Sequence, residues 1–332
     1  MSENLRGGPR WRPRAATIAL CLVAACERPE SKAPGAGATQ DSAAVSMGAP
    51  LENVATVALR GSRELVENSA AAMSARQPGV LFSINDSGND PLLFAIDTTG
   101  ADRGVWRVLG ATNVDWEASS LGPCGPRQAG GAASSCVYIG DTGENPGRHP
   151  SRAIYRVAEP DATGGRGEVI AEELRYTYSD QRHDVEALYV APNGDMVLIT
   201  KRPLTSATGQ LRPALVFRIP ASAWGTTGRI VAELADSLPI VPGSAPFRVI
   251  TDASLAPDAR HVAVRTYAQV YIFATDSVTG AVNHTVAPSV CDLMPLGEPQ
   301  GEGVTWANAR GRLVFTSEGR RVPLRLGDCV IR

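Results

Sequence analysis

The sequence predicts an all-β fold, a β-propeller of four-stranded antiparallel blades. Three observations support it: a two-strand phrase occurs five times, a short acidic segment precedes most copies, and no apolar pattern of helical period continues for ten residues after the first 26. Short strands that repeat about every 50 residues or more, with turn residues between them, are typical of propeller blades. The phrases predict five blades. Six is the alternative if a degenerate repeat lies in the longer intervals.

The first 26 residues resemble a bacterial lipoprotein signal. Four Arg precede an apolar run from Ala15 to Ala25, which is too short to span a bilayer as a helix. The run ends in Leu22-Val-Ala-Ala-Cys26, similar to a lipobox, and this resemblance implies a lipid on Cys26. By analogy with lipoprotein sorting, Glu27 favours the outer membrane. A simple secretory signal cleaved near Ala25 is the alternative.

Two further segments follow the signal. Residues 27–50 are dominated by Ala, Gly, Ser and Pro and have no apolar period, so we expect a disordered tether. Residues 51–332 carry all the repeats and are predicted to form a single propeller domain. We therefore expect an extracytoplasmic protein that contacts the membrane only through lipidated Cys26.

Charge and cysteine content limit the partners and the compartment. The formal net charge is −2 and the Lys and Arg residues are dispersed, which argues against nucleic-acid binding. We expect a monomer whose partner is an unknown ligand or protein. Four Cys remain after the signal and the lipid-bearing Cys26, and an even number favours two disulfides. Three connectivities exist. We favour Cys124 with Cys136 and Cys291 with Cys329, each pair inside one repeat.

The repeat consists of an acidic segment followed by a hairpin. The hairpins begin at Gly79, Cys136, Asp195, His261 and Arg312. The preceding segments align on Glu64, Glu117, Glu186, Thr251 and Glu302. The last unit lacks a fourth strand, and the segment from Asn53 to Arg60 is unassigned, so we predict that this N-terminal strand completes the last blade and closes the ring.

The best-preserved copies also resemble a known group. Asn85-Asp-Ser-Gly88, Asp115-Trp-Glu117 and Gly140-Asp-Thr-Gly-Glu-Asn145 are similar to motifs of uncharacterised, exported bacterial β-propeller proteins. More distantly, the layout resembles NHL, YVTN and phytase-like propellers, some of which bind calcium or hydrolyse esters. The resemblance implies a propeller and transfers no catalytic residue.

In a meander blade, the start of the first strand and the loop after the second strand lie on the same face. This geometry predicts one acidic mouth of the central channel. The expected metal ligands are Glu117, Glu186, Asp252 and Glu302. The expected ligand-binding residues are Asp86, Asp115, Asp141, Asn145, Asp184, Lys201, Arg265, Tyr267 and Glu318.

Carboxylates that meet at a narrow mouth repel one another unless they are protonated, solvated or bridged by a cation. Their oxygens suit calcium or magnesium better than zinc, and we expect Ca²⁺. The alternative is that these acids only shape the blades by binding turn amides. Two functions remain open: a binding or interaction module, and a metal-dependent hydrolase of phosphoesters, esters or lactones.

Overall fold

The strands of the computed structural model pair in antiparallel groups of four. The structure describes residues 48–61, 63–125, 134–144, 152–201, 213–240 and 249–332. Helical structure in these residues is confined to short 3-10 turns at Ala221–Ala223 and Met294–Leu296. The predicted all-β fold is confirmed.

The strands follow the chain in blade order. The N-terminal strands are β1 (Ala49–Pro50) and β2 (Glu52–Val57). The first blade comprises β3 (Asn68–Met73), β4 (Val80–Asn85), β5 (Leu92–Asp97) and β6 (Asp102–Leu109). The second comprises β7 (Trp116–Pro123), β8 (Ser135–Asp141), β9 (Arg152–Ala158) and β10 (Arg166–Tyr178).

The remaining blades have the same order. The third comprises β11 (Val185–Val190), β12 (Met196–Thr200), β13 (Ala214–Ile219) and β14 (Ile230–Leu238). The fourth comprises β15 (Ile250–Leu255), β16 (His261–Thr266), β17 (Gln269–Ala274) and β18 (Ser289–Asp292). The fifth comprises β19 (Gly301–Trp306), β20 (Arg312–Ser317) and β21 (Leu324–Asp328), with β2 as its fourth strand.

The first strands of the blades form a closed ring. Each of β3, β7, β11, β15 and β19 contacts the first strand of the next blade, and β19 contacts β3. Five apolar clusters, one between each pair of neighbouring blades, are present in the described residues. Trp116 and Trp306 are fully buried in two of them. Burial of each such large side chain contributes roughly 1.5–3 kcal/mol, so blade-to-blade packing stabilises the ring.

The N-terminal strands join the last two blades. β2 pairs antiparallel with β21, and β1 pairs parallel with β18. The strand expected between Asn53 and Arg60 is therefore observed at Glu52–Val57. It covers what would otherwise be the open edge of the fifth blade.

Both predicted disulfides are present. Cys124–Cys136 lies within the second blade, as expected. Cys291–Cys329 joins β18 of the fourth blade to the segment after β21 of the fifth, so the expectation that it lies inside one repeat was wrong. The N-terminal segment also joins these two blades, since β1 pairs with β18 and β2 pairs with β21. Two disulfides indicate an oxidising, extracytoplasmic environment.

Where the structure is described, none of the helices has the length and apolar character needed to cross a membrane.

The first strands of all five blades contain a β-bulge. In the first blade the bulge lies at a different residue from the one that the internal repeats predict. Pairing with the second strand shifts by one residue near the start of every first strand. In the first four blades the bulged residues are Ser69, Glu117, Glu186 and Thr251. In the fifth blade the bulge contains Glu302 and Gly303. Ser69, and not Glu64, is thus the counterpart of Glu117 in the first blade.

Candidate cation-binding site

A cavity of about 110 Å³ lies where these bulges meet. Its lining is strongly polar and includes six carboxylates and one ammonium group. The lining residues are Glu67, Asn68, Ser69, Asp86, Glu117, Glu186, Lys201, Gln300, Glu302 and Glu318. The cavity therefore concentrates negative charge in a small, mostly buried volume.

The bulges explain why four of these side chains converge. An extra residue in one strand bends that strand and re-aims its side chain. In the first, second, third and fifth blades the re-aimed residues are Ser69, Glu117, Glu186 and Glu302, and all four line the cavity. Thr251 holds this position in the fourth blade, where its hydroxyl donates to the backbone oxygen of Glu302 over 2.9 Å.

The residue after each second strand supplies the next layer. Asp86, Lys201 and Glu318 hold this position in three blades and line the cavity. Tyr267 holds it in the fourth blade and donates to Glu302 Oε1 over 3.3 Å. These four residues were expected near one another, and the structure brings them to one mouth.

Three acidic side chains form the part of the mouth best suited to an ion. One carboxylate oxygen each from Asp86, Asp115 and Glu117 lies within 4.8 Å of the others. Two oxygens that bind one Ca²⁺ ion at about 2.4 Å are at most about 5 Å apart, so this spacing fits one shared ion. Ser69 Oγ lies beside the group and donates to Glu117 Oε2 over 3.2 Å.

The last residue of β8 and the loop after it hold this trio in place. Asp141 Oδ1 accepts from the backbone amide of Asp115 over 2.7 Å, which is the turn-shaping role weighed above for Asp141. Gly143 approaches so closely that a Cβ there would collide with the carboxylates of Asp115 and Glu117. The Gly-Asp-Thr-Gly segment at residues 140–143 therefore positions the acidic side chains at the start of the neighbouring strand β7.

Burial and crowding disfavour ionisation of the bulge acids. Burial raises the pKa of Glu117 well above its usual value, and Glu186 and Asp86 raise it further. Burial also raises the pKa of Glu186 strongly, although Lys201 opposes the shift. The pKa of Glu302 rises from its ordinary 4.5 to about 7, mainly through burial, despite a hydrogen bond from Gln300.

Lys201 is the cation that faces these acids. Its Nζ lies 2.7 Å from Glu186 Oε1. Burial lowers the pKa of Lys201, but the ion pair with Glu186 outweighs burial and raises the pKa above its usual value. Lys201 therefore stays an ammonium group and compensates one carboxylate among six.

Two expected site residues lie elsewhere. Asp252, expected as a metal ligand, is fully buried and accepts from the backbone amides of Val304 at 2.8 Å, Ala253 at 2.8 Å and Ala71 at 3.4 Å. Arg265, expected to contact a ligand, is also fully buried. It donates to the backbone oxygens of Gly303 and Thr316 and pairs with Glu298. Both stabilise the junction of neighbouring blades.

Of the other expected residues, Asp184 accepts from the backbone amide of Glu144 over 3.2 Å and is not among the cavity-lining residues. Asn145 lies outside the described residues. Four lining residues were not expected: Glu67, Asn68, Ser69 and Gln300. Placement of Ser69 depends on the bulge, and Gln300 lies just before β19, where the sequence has no distinguishing pattern.

Comparison with known proteins supports the fold alone. No protein-family model matches the chain, and no curated protein matches its sequence. The major allergen Mala s 1 of Malassezia sympodialis is similar in structure, with 9% identity, a TM-score of 0.50, and coverage of 84% of this chain and 96% of that one. Glutaminyl cyclase of Myxococcus xanthus has 12% identity, a TM-score of 0.47, and coverage of 85% and 96%. The PQQ-bound aldose sugar dehydrogenase of Streptomyces coelicolor has 11% identity, a TM-score of 0.45, and coverage of 84% and 99%.

Proposed function

We propose that the chain is a lipid-anchored, extracytoplasmic propeller that acts as a binding module and holds Ca²⁺ at its acidic mouth. The observation that carries this proposal is the trio of Asp86, Asp115 and Glu117, whose oxygens are close enough to share one ion and of which Asp86 and Glu117 line the cavity. Ca²⁺ would supply a hard cationic centre that attracts ligand oxygens.

The charge of the cavity supports the same conclusion. Six carboxylates face one ammonium group, and the bulge acids are nearly inaccessible to water. Without a cation these acids must take up protons, because burial and mutual repulsion oppose their ionisation. A divalent ion compensates two charges at once. Carboxylate oxygens without imidazole or thiolate ligands favour calcium or magnesium over zinc.

Isothermal titration with CaCl2, MgCl2 and ZnCl2 tests the cation site. We expect CaCl2 to bind the wild-type protein and Glu117→Gln to weaken binding at least tenfold. Glu168→Gln is the matched control, because Glu168 is exposed on the outer strand β10 and lies away from the mouth. Absence of binding heat and of a thermal shift with CaCl2, or unchanged binding by Glu117→Gln, would refute the proposal.

Gly143→Ala tests the geometry of the site without removing a carboxylate. The added methyl group displaces Asp115 and Glu117, so calcium affinity should fall while the number of acids stays the same. Retention of wild-type affinity by this variant would show that the trio is not the binding group.

A metal-dependent hydrolase of phosphoesters, esters or lactones is the second candidate, and the position of Lys201 favours it. Its ammonium group lines the same cavity as the acids and could stabilise developing negative charge. Chromogenic substrates of the three classes should be screened with calcium present. Full activity of a Glu117→Gln, Glu186→Gln double variant on any substrate found would exclude catalysis by these acids.

The anchor is tested separately, on Cys26. Cys26→Ser should release the protein from the membrane fraction, and mass spectrometry of the wild-type N-terminal peptide should show the lipid. A wild-type protein cleaved near Ala25 and free of lipid would contradict the proposed anchor without affecting the cation site.

A further inference from the structure

A second cavity of about 190 Å³ lies at the start of β9 and the end of β10, and it differs in chemistry from the acidic mouth. Arg152 and Arg182 contribute positive charge, and Tyr176 and Tyr178 contribute aromatic walls. Asp180 is the acidic member of the described lining, and His183 already binds it over 3.0 Å. Among the lining residues, two guanidinium groups therefore face one carboxylate.

Arg152 is the residue that points to a ligand. Its side chain is 3% exposed, and its Nη2 pairs with Glu144. Within the described part of the chain, Nε and Nη1 of Arg152 have no hydrogen-bond partner. A buried guanidinium stays charged, so unpaired N–H groups leave part of its desolvation cost uncompensated. An acceptor in the cavity would remove that cost.

The tyrosines add a further donor. The hydroxyls of Tyr176 and Tyr178 lie 3.3 Å apart, so one donates to the other, and among the described residues the second hydroxyl proton has no acceptor. Burial raises the pKa of both groups, which keeps both hydroxyls protonated. The cavity thus presents surplus donors beside aromatic rings.

We infer that this second cavity binds a small organic anion, with one oxyanion group at Arg152 and an apolar body against Tyr176 and Tyr178. Arg182 lies at the entrance, with a side chain 64% exposed, and its Nε is 3.4 Å from Glu144 Oε1. Glu144 therefore holds both arginines, and Arg182 adds positive charge where the anion would enter.

Equilibrium binding of benzoate to the full chain tests this inference, with neutral benzamide as the isostere. We expect benzoate to bind at least tenfold more tightly than benzamide, and Arg152→Gln to weaken benzoate binding at least tenfold. Arg182→Gln, at an exposed position that tolerates change, should weaken it about threefold. Arg175→Gln is the matched control, because Arg175 has similar exposure, 63%, lies on β10, the strand that precedes Arg182, and does not line the cavity.

Several outcomes would overturn the inference. These are no benzoate binding to the wild-type protein, equal affinity for benzamide, or equal loss with Arg175→Gln and Arg182→Gln. If Arg152→Gln does not fold, benzoate binding by Tyr178→Phe and Arg182→Gln decides the question. Weaker binding in these variants indicates a ligand site, and unchanged binding indicates a water-filled cavity. Glu117→Gln should leave benzoate binding unchanged, so the result is independent of the calcium site.

Discussion

Glu117 and Asp252 occupy similar positions in their blades, but their side chains lie in different environments. Each is a buried carboxylate near the start of a first strand, and burial raises the pKa of both. Glu117 occupies the bulge of the second blade and lines the cavity, whereas Asp252 follows the bulge of the fourth blade and binds three backbone amides. A difference of one residue in register therefore separates a candidate metal-coordinating carboxylate from one that only binds backbone amides.

The largest expected effect is on stability. Asp252→Ala removes the acceptor of the Val304, Ala253 and Ala71 amides, and each buried donor left unpaired costs about 1–3 kcal/mol. We expect the free energy of unfolding, measured with urea, to fall by about 3 kcal/mol or more. Glu117→Gln should lose less than about 1 kcal/mol, since it removes a crowded acid. Equal losses in the two variants would show that the contrast is wrong.

The next effect is a pH dependence of stability. A carboxyl group whose pKa is raised on folding binds more protons in the folded state, so calcium-free protein should lose stability as pH rises from 4.5 to about 7. For Glu302 alone the shift corresponds to about 3 kcal/mol as an upper bound. Urea unfolding of wild type and Glu302→Gln between pH 4.5 and 8 measures it. A wild-type slope that Glu302→Gln leaves unchanged would contradict the assignment.

Calcium should act on one of the two acids only. At a calcium concentration about 100 times the Kd, binding to the folded state adds about 2.7 kcal/mol. The thermal shift should fall to about half or less in Glu117→Gln, because calcium affinity is expected to fall at least tenfold, and it should persist in Asp252→Asn, which keeps one acceptor oxygen for the amides. Loss of the shift in both variants would place Asp252 in the cation site after all.

The smallest effect concerns the bulge of the first blade. Ser69→Ala removes the hydroxyl that donates to Glu117 Oε2, a contact of about 1 kcal/mol. We expect a comparable loss of stability in urea and a weaker calcium affinity. Thr251→Ser, at the equivalent position of the fourth blade, keeps its hydroxyl and should leave calcium affinity unchanged.

Local pattern was sufficient to predict much of this protein. Alternating apolar residues and turn residues repeat along the chain, so the blade strands, the closing N-terminal strand and the shared mouth of Glu117, Glu186 and Glu302 follow from spacing alone. The same holds for Asp86, Lys201 and Glu318, because the residue after each second strand returns to the face where the first strand begins. The pairing of the four Cys was also predicted, although the Cys291–Cys329 bond joins two blades instead of lying inside one repeat.

Only the tertiary structure decided which acids face the cavity. The side chains of successive residues of a strand point to opposite faces, so one extra residue reverses the faces to which the neighbouring side chains point. No residue type marks that bulge, which holds Ser69, Glu117, Glu186, Thr251 or Glu302. The sequence therefore determined that the acids gather at one end of the ring, and the register of each blade determined that Glu117 faces the cavity while Asp252 binds backbone amides.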